Sequence, residues 1–228
     1  MVRIKVWDLP LRLFHWALAV AVTGALVTIN LGAAWIEWHG RFGLTVVGLI
    51  AFRLAWGVLG STHSRFCSFF PTPAALGAYL RGNWQRPGHN PLGALSVLAM
   101  LGLLGFQAVS GLFASDEIAF NGPLTRAVSS STVSTLSSLH RQTELWLYIL
   151  LGLHVLAVIV HQLRGKRLIG SMIHGWTALA ESEAAPRTRS PLKAALALVL
   201  ALLLAGAALW LANGSWIPAP PPAAAPAW

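Results

Sequence analysis

Five apolar stretches, each near twenty residues, decide what this chain can become: Leu11 to Leu31, His39 to Leu59, Pro91 to Ala114, His140 to Leu163 and Leu192 to Ala212. A hydrocarbon core about 30 Å thick takes roughly 20 helical residues to cross. No water inside a bilayer satisfies a bare backbone, so runs of this length fold as helices. Composition agrees, since 10% of the 228 residues are charged and 56% hydrophobic, too few polar groups to coat a soluble domain. The expected fold class is all-α, a polytopic membrane protein. Disorder, collagen and a disulfide scaffold are excluded, the last because Cys67 is the single cysteine. The first run follows Arg3 and Lys5 as a signal peptide would. It is too long for an h-region and has no small-x-small cleavage site, so it is read as a span.

A net charge of +9 would suggest nucleic acid in a soluble chain, but no basic helix face interleaved with aromatics occurs. The cations lie between the apolar runs, which makes lipid the expected surrounding. Arg3, Lys5, Arg12, Arg65, Arg81, Arg86, Arg164, Lys166, Arg167, Arg187, Arg189 and Lys193 fall on one side of the membrane. Arg41, Arg126 and Arg141, with Glu37, Asp116 and Glu117, fall on the other. The positive-inside rule then predicts a cytoplasmic amino terminus and an external carboxyl terminus. Trp7, Trp35, Trp38, Trp56, Trp176 and Trp216 flank the runs as an aromatic belt. Two connections are long: Gly60 to Asn90, where Ala-Leu-Gly-Ala-Tyr-Leu predicts a short surface helix, and Ser115 to Leu139, an external loop ending in a Ser/Thr run. The Ala/Pro segment from Pro218 to Trp228 is expected to be an extended tail.

Histidine carries the chemistry. His15, His39, His140, His154 and His161 lie in or at the edge of spans, where an ionisable side chain is costly and marks function; His63, His89 and His174 lie in cytoplasmic segments. His140 and His154 are separated by fourteen residues, within about 40° of four full turns, so they share a helix face about 21 Å apart. Ligands so far apart serve two cofactors at two depths. With alternating spans, His39 opens the second from outside and matches His140. His15 lies about 24 Å below the external end of the first span and matches His154. His161, about 31 Å from His140, is too deep for His15. A pair of neutral imidazoles from facing helices is what a six-coordinate b-type haem requires, so two haems b are expected. Gly40, Gly43, Gly48, Gly152 and Ala157 would let a flat macrocycle approach. Haem propionates need cations: Arg41 and Arg141 lie beside the external ligands, while Arg12 and Arg53 belong to the cytoplasmic side. Zinc would need closely spaced Cys or carboxylate partners, which are missing. No P-loop, GxSxG or HExxH motif offers another chemistry.

Val6 to Trp16, His39 to Gly43, Gly88 to Gly93, Gly111 to Phe120 and Leu153 to Val158 resemble the bacterial cytochrome b561 and Ni,Fe-hydrogenase b-type cytochrome family, over a stretch from Val6 to Gly175. The resemblance implies a four-helix bundle in the bacterial inner membrane, with two b-type haems held by His15, His39, His140 and His154. It also implies electron exchange with a quinone and with a c-type cytochrome or hydrogenase partner. The expected division is a dihaem domain at 1–175, a cytoplasmic linker at 176–191, a peripheral fifth helix at 192–213 and an external tail at 214–228. His89 is expected to structure its loop, with contact to a propionate or quinone as the alternative. An electron relay leads the functional readings. A self-contained superoxide:quinone oxidoreductase and a haem-free membrane anchor are the others.

Overall fold

A computed structural model describes residues 2–84, 88–118, 120–179 and 190–218. Its elements in chain order are β1 (Val2–Lys5), α1 (Leu9–Asn30), α2 (Ile36–Leu59), α3 (Phe66–Phe69), α4 (Pro73–Leu80), α5 (Pro91–Leu112), α6 (Ser130–Leu163), α7 (Leu168–His174), β2 (Trp176–Leu179) and α8 (Pro191–Ala212). The five expected spans are helices long and apolar enough to cross a membrane, and α4 is the expected short helix. Four of the spans start from side-chain caps. Asp8, Asn90, Ser129 and Ser190 each accept the N–H three residues on, which satisfies one orphan donor of the first turn. Proline follows the cap in α1, α5 and α8, where its missing N–H costs nothing.

The fourth span departs from expectation. It starts at Ser130 rather than His140, so the Ser/Thr run is helix and not loop. Its hydroxyls are satisfied internally: Thr135, Ser137 and Thr143 donate to the carbonyls of Ser131, Val133 and Leu139 one turn back. The fifth helix is also more than peripheral. Ala197, Ala201 and Ala205 recur every four residues and are buried against Phe52 and Trp56 of α2. Gly48 belongs to this contact and not to a macrocycle, because a Cβ there would lie 2.8 Å from Leu209. The opposite face of α8, with Leu192, Leu196, Leu203 and Trp210, is exposed for lipid.

The strands were not expected. β1 and β2 pair antiparallel, Lys5 opposite Trp176, so the segment anticipated as a linker from residue 176 opens as a strand. Arg86, Pro87, Arg187, Arg189 and the tail beyond Pro218 lie outside the described residues. Helix packing runs from α8 to α2, from α2 to both α1 and α5, and from α5 to α6. The core between them holds Ala21, Val22, Val46, Ile50, Leu104, Ala108 and Leu147. Among the described residues the backbone of α6 runs close mainly to α5 and α7, while Asn30 of α1 donates to Tyr148 Oη of α6 at 2.9 Å. It buries only Ser137 and Leu147. The bundle therefore has one loosely closed seam, between α6 and the α1–α2 pair.

Candidate functional site

Two histidine pairs bridge that seam. The rings of His39 on α2 and His140 on α6 have centres 6.1 Å apart, and those of His15 on α1 and His154 on α6 are 6.4 Å apart. A metal–imidazole bond is about 2 Å and the ring centre lies about 1 Å beyond the nitrogen, so two axial imidazoles on one ion put their centres about 6 Å apart. Both pairs match this spacing. Among the described residues no three His, Cys, Asp or Glu side chains cluster. The donors thus come in pairs, a set that would suit a metal whose remaining ligands are supplied by a macrocycle.

The neighbours of the rings select which nitrogen faces inward. His39 Nδ1 lies 2.9 Å from the Ala25 carbonyl, to which it donates, and this leaves the Nε2 lone pair free. His140 Nδ1 lies 3.1 Å from Ser110 Oγ, whose own hydroxyl donates to the Gln107 carbonyl. Gly111 makes room for this ring, since a Cβ there would come within 3.0 Å of it. On the other level, Nδ1 of His15 is buried with no hydrogen-bond partner, and Trp16 meets the His15 ring edge-on at 5.2 Å. His154 is half-buried. His161, two turns further along α6, has no aromatic ring against it among the described residues. Gly43 and Gly152 face open space, whereas Gly40 lies under Phe120.

The four expected cations are in different states. Arg41 is exposed, 3.8 Å from Glu37 and stacked over Trp38. Arg141 is exposed as well. Arg12 donates through Nη1 to the Ile173 carbonyl, while its Nε is buried without a partner. Arg53 is 2% exposed and already engaged: Nη1 donates to the Ser64 carbonyl at 3.1 Å and the guanidinium lies over Phe66. Sequence reasoning missed the hub beside it. The Asp8 carboxylate caps α1 and also accepts from Trp56 Nε1 at 3.1 Å, Ser64 Oγ at 2.7 Å and Ser61 Oγ. The available signal was an acid placed directly before an apolar run in a chain with seven acids in all.

His89 sits between Trp7 and Phe69, ring centres 4.7 and 4.6 Å away, with Nδ1 buried and unpartnered. Burial, and then the nearby Arg53 charge, push its pKa down to about 3. It packs its loop as a neutral aromatic. His174 accepts the Trp176 N–H at 3.0 Å and ends α7. Asp116 folds the loop between α5 and α6 by accepting the N–H groups of Ile118 and Phe120.

Compared with known families, residues 6–175 match the family model described as prokaryotic cytochrome b561. No curated protein and no solved structure matches the chain.

Proposed function

The chain belongs to the prokaryotic cytochrome b561 family and is therefore a multi-pass membrane protein that binds b-type haem and transfers electrons; on that premise we propose that it carries two haems b, one at each histidine pair. His39 and His140 hold the external haem, and His15 and His154 the cytoplasmic one. The observation that carries this reading is the pair of ring separations across the open seam. Each bound haem supplies a one-electron Fe(III)/Fe(II) couple.

The chain's own residues do the rest. The Nδ1 contacts of His39 and His140 fix the tautomer and strengthen Nε2 as a donor. The apolar helix faces exclude water, which holds the charge-transfer site at low dielectric. Arg41 and Arg141 are the propionate cations of the external site. The free Nε of Arg12 serves the cytoplasmic site, and Arg53 supplies a buried positive charge nearby. The two centres lie about 20 Å apart along the bundle. Residues 1–175 form the haem unit, and the helix at 192–213 is an added brace on α2. The amino terminus is cytoplasmic, in the bacterial inner membrane. The electrons pass between an external redox protein, such as a c-type cytochrome or a hydrogenase, and the quinone pool.

Pyridine haemochrome analysis of the purified protein is expected to give two haems b per chain. His39→Ala or His140→Ala removes one, and His15→Ala or His154→Ala the other. Retention of both haems in His154→Ala together with loss in His161→Ala would reverse the cytoplasmic assignment. Quinone reduction by superoxide with no partner protein would replace the relay by a self-contained oxidoreductase.

A further inference from the structure

The cytoplasmic pair poses a mechanical problem, because α1 and α6 face each other through His15 and His154 with little close backbone approach. Asn30 and Tyr148 tie the two helices at the other level, and the His15 level needs a tie of its own. After α6 the chain turns at Gly165, with φ +80°, into α7, and ends that helix at Gly175, with φ +88°. The last carbonyls of a helix lack intrahelical partners. Here donors from α1 and its lead-in take three of them. Trp16 Nε1 reaches the Met172 carbonyl at 3.4 Å, Arg12 Nη1 the Ile173 carbonyl, and the backbone N–H groups of Val6 and Trp7 share the Gly175 carbonyl at 2.9 and 3.2 Å. The Arg12 charge also suits the negative end of the α7 dipole. Directly beyond, β2 pairs with β1 from Trp176 and Lys5 to Leu179 and Val2. The first residues of α1 are thus tied, contact after contact, to the continuation of α6.

We propose that α7 and β2 form a strap that sets the gap between α1 and α6, with Gly175, Arg12 and Trp16 as positioning residues for the cytoplasmic haem site. Gly175 is the pin of the strap. A Cβ there would lie 2.5 Å from the Trp7 carbonyl oxygen and 3.3 Å from Arg12 Nε, and its left-handed backbone disfavours any L side chain. At the start of α1, Asp8 also locks the helix to Trp56 of α2 and to Ser61 and Ser64 just beyond it. His15 is seven residues above Asp8, within about 20° of the same face. Held at its first turns by both sets of contacts, α1 is restrained from turning His15 away from His154. The external pair has no share in this strap, because its histidines are anchored through Ala25 and Ser110.

The haem part of this proposal rests on the two-haem reading, and the external haem serves as an internal control for folding. Gly175→Ala and Trp16→Phe are expected to weaken retention of one haem by about tenfold, the scale at which outer contacts tune metal affinity, and to alter its low-spin EPR signal. The other haem should keep its signal and occupancy. Unchanged signals for both haems in both variants would overturn the proposal, as would equal loss of both haems in the milder Trp16→Phe. A second measurement is independent of haem. In a Cys67→Ser background, spin labels at Leu13→Cys on α1 and Leu163→Cys at the end of α6 are expected to report a broader or longer distance once Gly175→Ala is added. An unchanged distance would overturn the strap, whereas a changed distance in protein without the cytoplasmic haem would sustain it and sink only the haem reading.

Discussion

Between Trp7 and Phe69 the His89 ring is half-buried with its Nδ1 shut away from solvent, which makes it a source of pH dependence. Folded, it stays neutral down to about pH 3; in the unfolded chain it takes a proton near the ordinary value of 6.5. The unfolded state therefore binds more protons between those values, and stability falls as pH drops below 6.5. Each unit of that window is worth about 1.4 kcal/mol, so acidification from pH 7 to 5 is expected to cost about 2 kcal/mol through this residue. Thermal unfolding of detergent-solubilised protein at the two pH values measures it, and His89→Gln should flatten the difference. At this scale the histidine pairs were legible in the sequence, because helix rise and period are fixed and 14 residues always mean the same face and nearly the same length. Asp8 and Arg53 were not legible as structural anchors. Their partners, Trp56, Ser61, Ser64 and Phe66, are brought in by the packing of α1 on α2 and by the turn that follows it.

Among the elements, α8 and α6 show what a pattern of apolar residues does and does not reveal. Hydropathy located both, yet the face that α8 presents to α2 is written only in alanines, which read as helix formers rather than as contact residues. Ala201 is fully buried, so Ala201→Leu must push α8 off Phe52 and Trp56. A loss of about 1–3 kcal/mol is expected, seen as a lower melting temperature with haem binding kept. The hydroxyl-rich start of α6 escaped a reading by hydropathy because those hydroxyls bond within the helix and hide their polarity from neighbours. Its Ser129 cap is worth about 1 kcal/mol. In Ser129→Ala, hydrogen exchange should quicken over Ser130 to Ser137 and stay unchanged around His154.

For the molecule as a whole, orientation has a convenient native reporter. Cys67 is exposed on α3, in the connection between α2 and α5 that the cation distribution assigns to the cytoplasm. A membrane-impermeant maleimide is expected to label it in inside-out vesicles and to leave it unlabelled in intact spheroplasts; the opposite pattern would invert the topology. The number of spans followed from bilayer thickness alone, which is why the fold class could be read early. The β1–β2 ribbon could not, since two four-residue strands far apart in the chain carry no joint signal until folding brings them together. The loosely closed seam beside α6 has a cellular consequence. Before haem enters, the histidines lie along the flank where α6 is packed most loosely, which makes that helix the natural point of attack for a membrane-embedded protease. Under porphyrin starvation the polypeptide should be destroyed faster than it is made, and pulse-chase labelling in a haem-auxotrophic host would time its half-life. Its abundance would then follow haem supply after translation, without any change in transcription.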